Sequence, residues 1–254
     1  AEIVIIFFML FAGINFVLYF RIMRGDFKVF GNPELKFYLA VIAVSVALVT
    51  INTYRHVDSD FWFTLRAGAF QVVSIITTTG YATADFDRWP HFSRMLLLIL
   101  MFVGACGGST GGAMKQARWM LMIKYSFREL SRMIHPSAIS SVRLGDQHVG
   151  EEVLRPVVGF GIIYLFLTAL AALMLSFMGV DLVTSFSAVA ATIGNVGPGL
   201  AGVGPTHTYQ VIPPLGRILL SIMMVVGRLE IFTVMVIFLP ESRRIWKRAL
   251  ARSR

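Results

Sequence analysis

The stretch TTTGYAT, residues 77–83, is polar, uncharged and set between long apolar segments. A second stretch, ATIGNVG at 191–197, interrupts the chain in the same way. Irregular backbone at membrane depth is tolerated only where it is enclosed by protein or lines a watery cavity. What these two interruptions are therefore decides the fold.

The composition supplies the frame. Of 254 residues, 56% are hydrophobic and 15% are charged, less charge than a soluble domain of this length carries. Several apolar runs reach the roughly 20 residues needed to cross a bilayer, which points to an all-α integral membrane protein. The first run lacks a basic leader and reads as a spanning helix, not a signal peptide. The lone Cys106 excludes an internal disulfide. The net charge of +9 comes from bases clustered in three segments: 21–36, 115–155 and the tail 241–254 hold 17 of the 23 Lys and Arg. Bases spaced between spans follow the positive-inside rule, so these segments are expected in the cytoplasm and no nucleic-acid partner is implied.

Five spans emerge: 2–20, 37–54, 94–124 (interrupted), 155–178 and 215–239. Two shorter apolar segments, 61–79 and 181–193, lie between spans whose near ends share the outer side. A helix of about 14 residues is roughly 21 Å long, against a hydrocarbon core of about 30 Å. These segments therefore read as pore half-helices that enter from outside and return as extended turns. The chain also repeats. Arg94 precedes Gly104 by ten residues and Arg217 precedes Gly227 by ten, and Gly13 ends the first span similarly. The expected organisation is the last span of a preceding repeat (1–20), a cytoplasmic loop (21–36), a repeat unit with a broken third span (37–132), a cytoplasmic linker (133–154), a second unit (155–240) and a basic tail (241–254). Each unit is span, pore half-helix, filter turn, span, in the manner of a potassium channel.

Within the turns, Thr78-Thr79-Gly80-Tyr81 and Thr192-Ile193-Gly194-Asn195 share a Thr-x-Gly core. Gly permits backbone that bulkier residues disfavour, and a row of carbonyl oxygens can replace the hydration shell of a monovalent cation. Neither turn has a carboxylate, and the half-helices aim their negative ends at the same place. Together with GGSTGG (107–112) and VVGRLE (225–230), these motifs resemble the potassium-translocating subunits of the Trk/Ktr/HKT superfamily, and the chain resembles the second half of such a subunit. The resemblance implies K⁺ as the transported ion, with no cofactor, a bacterial inner-membrane location, and four repeats around one pore. It also implies a cytosolic nucleotide-binding regulatory ring of the TrkA/KtrA type, docked on the basic segments, and a homodimer.

Between Arg94 and Lys124 the span is broken by Gly104, Ala105, Cys106, Gly107, Gly108, Ser109, Thr110, Gly111 and Gly112. A ten-residue helix descends about 15 Å, placing the break near the midplane, under the filter. The resemblance makes this loop a gate; a kink for close helix packing through Gly108-x-x-x-Gly112 is the plainer alternative. The same residues match G-x-S-x-G, with Lys115 as a base, so an intramembrane serine hydrolase using Ser109 is the rival reading. A non-conducting scaffold is the third. All five His are expected in loops. Asp58, Asp60, Asp85 and Asp87 are expected around the outer mouth, and Arg94 and Arg217 at the outer interface. Arg228 aligns one residue past the repeat's Gly, near the midplane, where a lone Arg signals function. Glu230 is two residues away and faces elsewhere. The Arg228 guanidinium is thus expected to point at the pore, as a barrier, or at the carbonyls of 104–112.

Overall fold

The computed structural model describes residues 1–54, 56, 60–135, 141–145 and 147–238. The basic tail 241–254 and Asp58 lie outside these described residues. The expected first span is in fact two helices, α1 (Glu2–Ala12) and α2 (Phe16–Met23), bent by 93°. Two local causes set the bend. A Cβ on Gly13 would collide with the Tyr38 hydroxyl, so only Gly fits there. Asn15 then leaves the helix and its side chain accepts from the amide of Val17 (2.9 Å), starting α2 afresh. Beyond α2, the Arg21 guanidinium donates to Asp26 at 2.6 Å and holds that carboxyl below its usual range.

Helix α3 (Pro33–Tyr54) is a continuous span of 22 residues, about 33 Å at the α-helical rise. The Asn32 side chain accepts from the amides of Glu34 and Leu35, and Pro33 stands at the first position, where its missing N–H costs nothing. Helix α4 (Phe61–Ile76) packs against α3 and falls short of a bilayer's thickness. Helix α5 (His91–Leu100) descends, the chain runs non-helically to Lys115, and α6 (Gln116–Ile134) continues. A hairpin follows, β1 (Val142–Leu144) with β2 (Gln147–Val149), antiparallel with Val142 opposite Val149. It had no counterpart in the sequence reading. Gly145, at φ +63°, supplies its turn, and Val142 packs with Leu121 and Leu154.

The second unit repeats the first. Helix α7 (Glu151–Phe177) is a 27-residue span, α8 (Leu182–Ile193) is a short helix packed against it, and α9 (Pro214–Arg228) lies against α8. The last expected span, 215–239, is broken. After α9, Glu230 adopts φ +60° and α10 (Ile231–Phe238) begins again. Arg228 and Glu230 cannot stay unpaired in an apolar span, and the break aims them at different partners. Both short helices open on an aspartate cap: Asp60 accepts from Trp62 (3.0 Å) and Asp181 from Thr184 (3.0 Å). Both are buried on nearly every face toward their C-terminal ends, which lipid-facing or surface helices are not. One apolar core surrounds α4 and another α8, and Ala190, Ala191, Val196 and Leu200 of the second unit join the first core.

Candidate functional site

Beyond α4 the chain makes a turn with two unusual residues, Thr78 at φ +55° and Gly80 at φ +78°. The amides of Thr79 and Gly80 both donate back to the Ser74 carbonyl, at 2.9 and 3.4 Å. Beyond α8 the same turn recurs: Asn195 has φ +56° and Gly197 φ +113°, and the amides of Val196 and Gly197 donate to the Ala191 carbonyl at 2.8 and 3.4 Å. The structural counterpart of Thr78-Thr79-Gly80-Tyr81 is therefore Asn195-Val196-Gly197-Pro198. This shifts the expected register of the second turn by three residues. Thr192 and Ile193 are buried in α8, and Gly194 caps it at φ −74°. The Thr-x-Gly match misled because α8 continues through its threonine. Counting from the helix end finds the turn, since the glycine lies four residues past Ile76 in one unit and four past Ile193 in the other.

The two turns touch. A Cβ on Gly80 would collide with the carbonyl oxygen of Val196. Among the described residues, none of the carbonyl oxygens of Thr77, Thr78, Thr79, Gly80, Gly194, Asn195 and Val196 accepts a hydrogen bond. The row ends where hydroxyls claim the next oxygens: Ser74 donates to the Tyr81 carbonyl (2.6 Å) and Tyr209 to that of Gly197 (2.5 Å). Thr77, Gly194 and Val196 are buried and Thr78, Thr79, Gly80 and Asn195 half-buried, and carbonyls held away from water are normally paired. A run of free ones from two adjoining turns is suited to ligating a cation.

Directly beneath lies the loop 104–112. A Cβ on Gly111 would sit 3.4 Å from the Thr77 carbonyl oxygen, and one on Gly112 would collide with that of Gly194. The two glycines let the loop close on the base of both turns. The Gly112 amide donates to the Thr78 hydroxyl at 2.6 Å. The loop is also lashed to the preceding helix pair. Cys106 donates to the Gly13 carbonyl, Thr110 to that of Ala12, and Phe16 to that of Gly108. Glu34 accepts from the amide of Gly107 at 2.6 Å. Gly104 and Ala105 bond to the start of the returning chain, at Met114 and Gln116.

Arg228 donates from Nη1 to the Thr110 carbonyl at 3.0 Å, while Glu230 pairs with Arg118 at 2.7 Å. Lys115 donates to the Gly111 carbonyl. Lys115, Arg118, Arg228 and Glu230 line a cavity of about 180 Å³ under the loop. The hydrolase reading finds no geometry here. The Ser109 hydroxyl donates to the Cys106 carbonyl at 2.6 Å, and Lys115 serves a different oxygen. His91 opens α5 and His148 lies in β2, so the histidines are not confined to loops.

The described acidic residues expected around the outer mouth have structural duties. Asp60 caps α4. Asp85 caps a short turn and pairs with Arg88 at 3.0 Å. Asp87 pairs with Arg94 (2.9 Å) and accepts from the Ala201 amide (3.0 Å), tying the two units together. Arg94 thus has an ion-pair partner in Asp87. Glu34, Ser74, Gly197 and Tyr209 are site residues that sequence reasoning missed. Only Gly197 left a readable signal, in its distance from the helix end and the following Pro198.

A family model described as "TrkH: Cation transport protein" matches residues 1–248. The Trk system potassium uptake protein TrkH of Escherichia coli (strain K12) is 38% identical over 240 residues, 93% of this chain and 49% of that protein. TrkH of Halomonas elongata is 39% identical over 235 residues, 92% of this chain and 48% of that protein. The crystal structure of the potassium transporter TrkH from Vibrio parahaemolyticus superposes with a TM-score of 0.87 at 32% identity, covering 95% of this chain and 52% of that one. The chain spans about half the length of the curated relatives it matches.

Proposed function

Because the chain belongs to the TrkH family of cation transport proteins, we propose that it supplies two of the turns of a K⁺-selective filter, and the gate beneath them, in a membrane potassium uptake pathway. The observation that carries this is the row of carbonyl oxygens left free at Thr77–Gly80 and Gly194–Val196, on two turns in contact. Backbone carbonyls without carboxylates suit a monovalent cation, which must bind strongly enough to enter and weakly enough to leave. The filter segment of the second unit is Asn195–Pro198, with Gly194 packed behind it. Ions move passively, and the chain is a pore component and not an enzyme.

The loop 104–112 is the gate and Arg228 its electrostatic barrier. The loop fills the space under the filter, and the guanidinium fastens it through Thr110. The resting loop is closed, and opening requires it to leave the Thr77 and Gly194 oxygens. The bases of 21–36, 115–155 and 241–254 face the cytoplasm of a bacterial inner membrane. There they dock a cytosolic nucleotide-binding ring, and two copies of the transporter pair in the bilayer. Uptake of K⁺ or Rb⁺ into proteoliposomes by a four-repeat protein that contains these residues tests the reading. Selective uptake that falls on Gly80→Ser and on Gly197→Ser supports it. Unchanged K⁺/Na⁺ permeability ratios in both variants reject it.

A further inference from the structure

We propose that the Glu34 carboxylate is a clasp: one oxygen holds the gate loop and the start of α6 to the rigid span α3, so that displacement of α6 frees the loop. The proposal rests on the gate reading above and names how that gate is held.

The first amides of an α-helix have no acceptor within the helix. Helix α6 begins at Gln116, and Lys115 at its cap position offers no side-chain hydrogen bond. The acceptor comes from another helix. Glu34 Oε1 accepts from the Ala117 amide at 3.2 Å, in the first turn of α6. A carboxylate at that position is also favoured by the helix dipole. The same oxygen accepts from Gly107 at 2.6 Å, inside the loop. One atom therefore joins three bodies: α3, the loop and α6.

The surroundings make the clasp matter. Glu34 stands in the first turn of α3, whose start is fixed by Asn32. Gln116 is fully buried, and neither its side-chain oxygen nor its nitrogen has a partner among the described residues. The polar tie of this helix start to α3 thus passes through Glu34. Of the loop's other lashings, those to Ala12, Gly13, Phe16 and Arg228 do not involve α6, while the Ala105 carbonyl accepts from the Gln116 amide at its start. Pulling α6 away from α3 breaks the bond to Ala117 and, because the Gln116 amide donates to the Ala105 carbonyl, draws the loop and its Gly107 amide off Glu34 as well. Glu34 is a positioning residue; it touches neither filter turn.

Amide hydrogen exchange and Rb⁺ flux, measured on the same reconstituted four-repeat protein that contains these residues, test this. In Glu34→Ala, exchange at Gly107 and Ala117 rises, and basal flux per folded molecule rises about tenfold, the equivalent of one charge-assisted hydrogen bond. The K⁺/Na⁺ ratio stays unchanged. Glu34→Gln keeps an acceptor oxygen without the charge and falls between the two; it also serves if the Ala variant folds poorly. Unchanged exchange at Gly107 and Ala117 overturns the clasp, as does exchange that rises equally throughout α3 and α4, which marks general loosening. Faster local exchange with unchanged flux upholds the clasp and counts instead against the loop as gate.

Discussion

Arg228 shows how far one position can be argued from spacing. Its offset from the repeated glycine placed it near the midplane, and the structure puts its guanidinium on the Thr110 carbonyl. A K⁺ about 6 Å away would feel roughly 3 kcal/mol of repulsion at an effective dielectric near 20. That slows passage about a hundredfold. Arg228→Ala should therefore raise flux normalised to folded protein, with Arg228→Lys between; a fall, or no change, would make the residue structural. The glycines give a sharper comparison. A Cβ at Gly194 would meet the carbonyl oxygens of Met101 at 2.7 Å and Ala190 at 2.9 Å, whereas at Gly197 it meets nothing within 4 Å but sits at φ +113°. Gly194→Ala should thus lower the yield of folded protein. Gly197→Ser should fold and lose K⁺ selectivity, which permeability ratios would register. Reversed outcomes would restore Gly194 to the filter. Glu34 was not legible beforehand because its partners are backbone amides more than seventy residues away, and amides carry no sequence identity.

Among the elements, the half-helices were the most legible. Their lengths and their uncharged Thr/Gly ends pointed one way, while the aspartate caps came to light only in the structure. Removing a cap of this kind costs about 1 kcal/mol. Asp181→Ala should therefore lower thermal stability measurably and leave selectivity intact, because the cap lies at the end of α8 remote from the turn. The 104–112 loop was legible as a break but not as a structure. Five glycines suggest slackness, yet Gly111 and Gly112 serve close approach to the filter carbonyls, and the segment is bonded along its length. Shortening 105–111 with both helix ends kept should raise basal flux, and single-channel open probability would report it. A low flux in a well-folded variant would leave a structural kink. The bend between α1 and α2 escaped notice because hydropathy continues through it; the cause is a steric contact with Tyr38 that no local pattern encodes.

For the whole molecule, the two-unit plan was readable from the repeated Arg–Gly spacing, while the ties between units were not. In the proposed four-turn filter, these two turns make half of the ring. Residues 1–254 alone should give no selective K⁺ current unless two copies pair around one axis; robust selective currents from a strictly monomeric 254-residue chain would refute this. The lashing of the loop to Ala12, Gly13 and Phe16 bears on how such proteins can be recombined. The loop 104–112 belongs to one repeat by covalent order, but several of its moorings belong to the repeat before. Repeats are therefore not interchangeable cassettes. In chimeras between relatives, a junction within 24–32 would part the loop from its moorings at Ala12, Gly13 and Phe16, whereas one within the 142–149 hairpin would keep these and exchange only the Arg228 tie and the Gly194 contact. The first class should leak or fail to close more often than the second, and natural exchange between relatives should favour the hairpin as its crossover point.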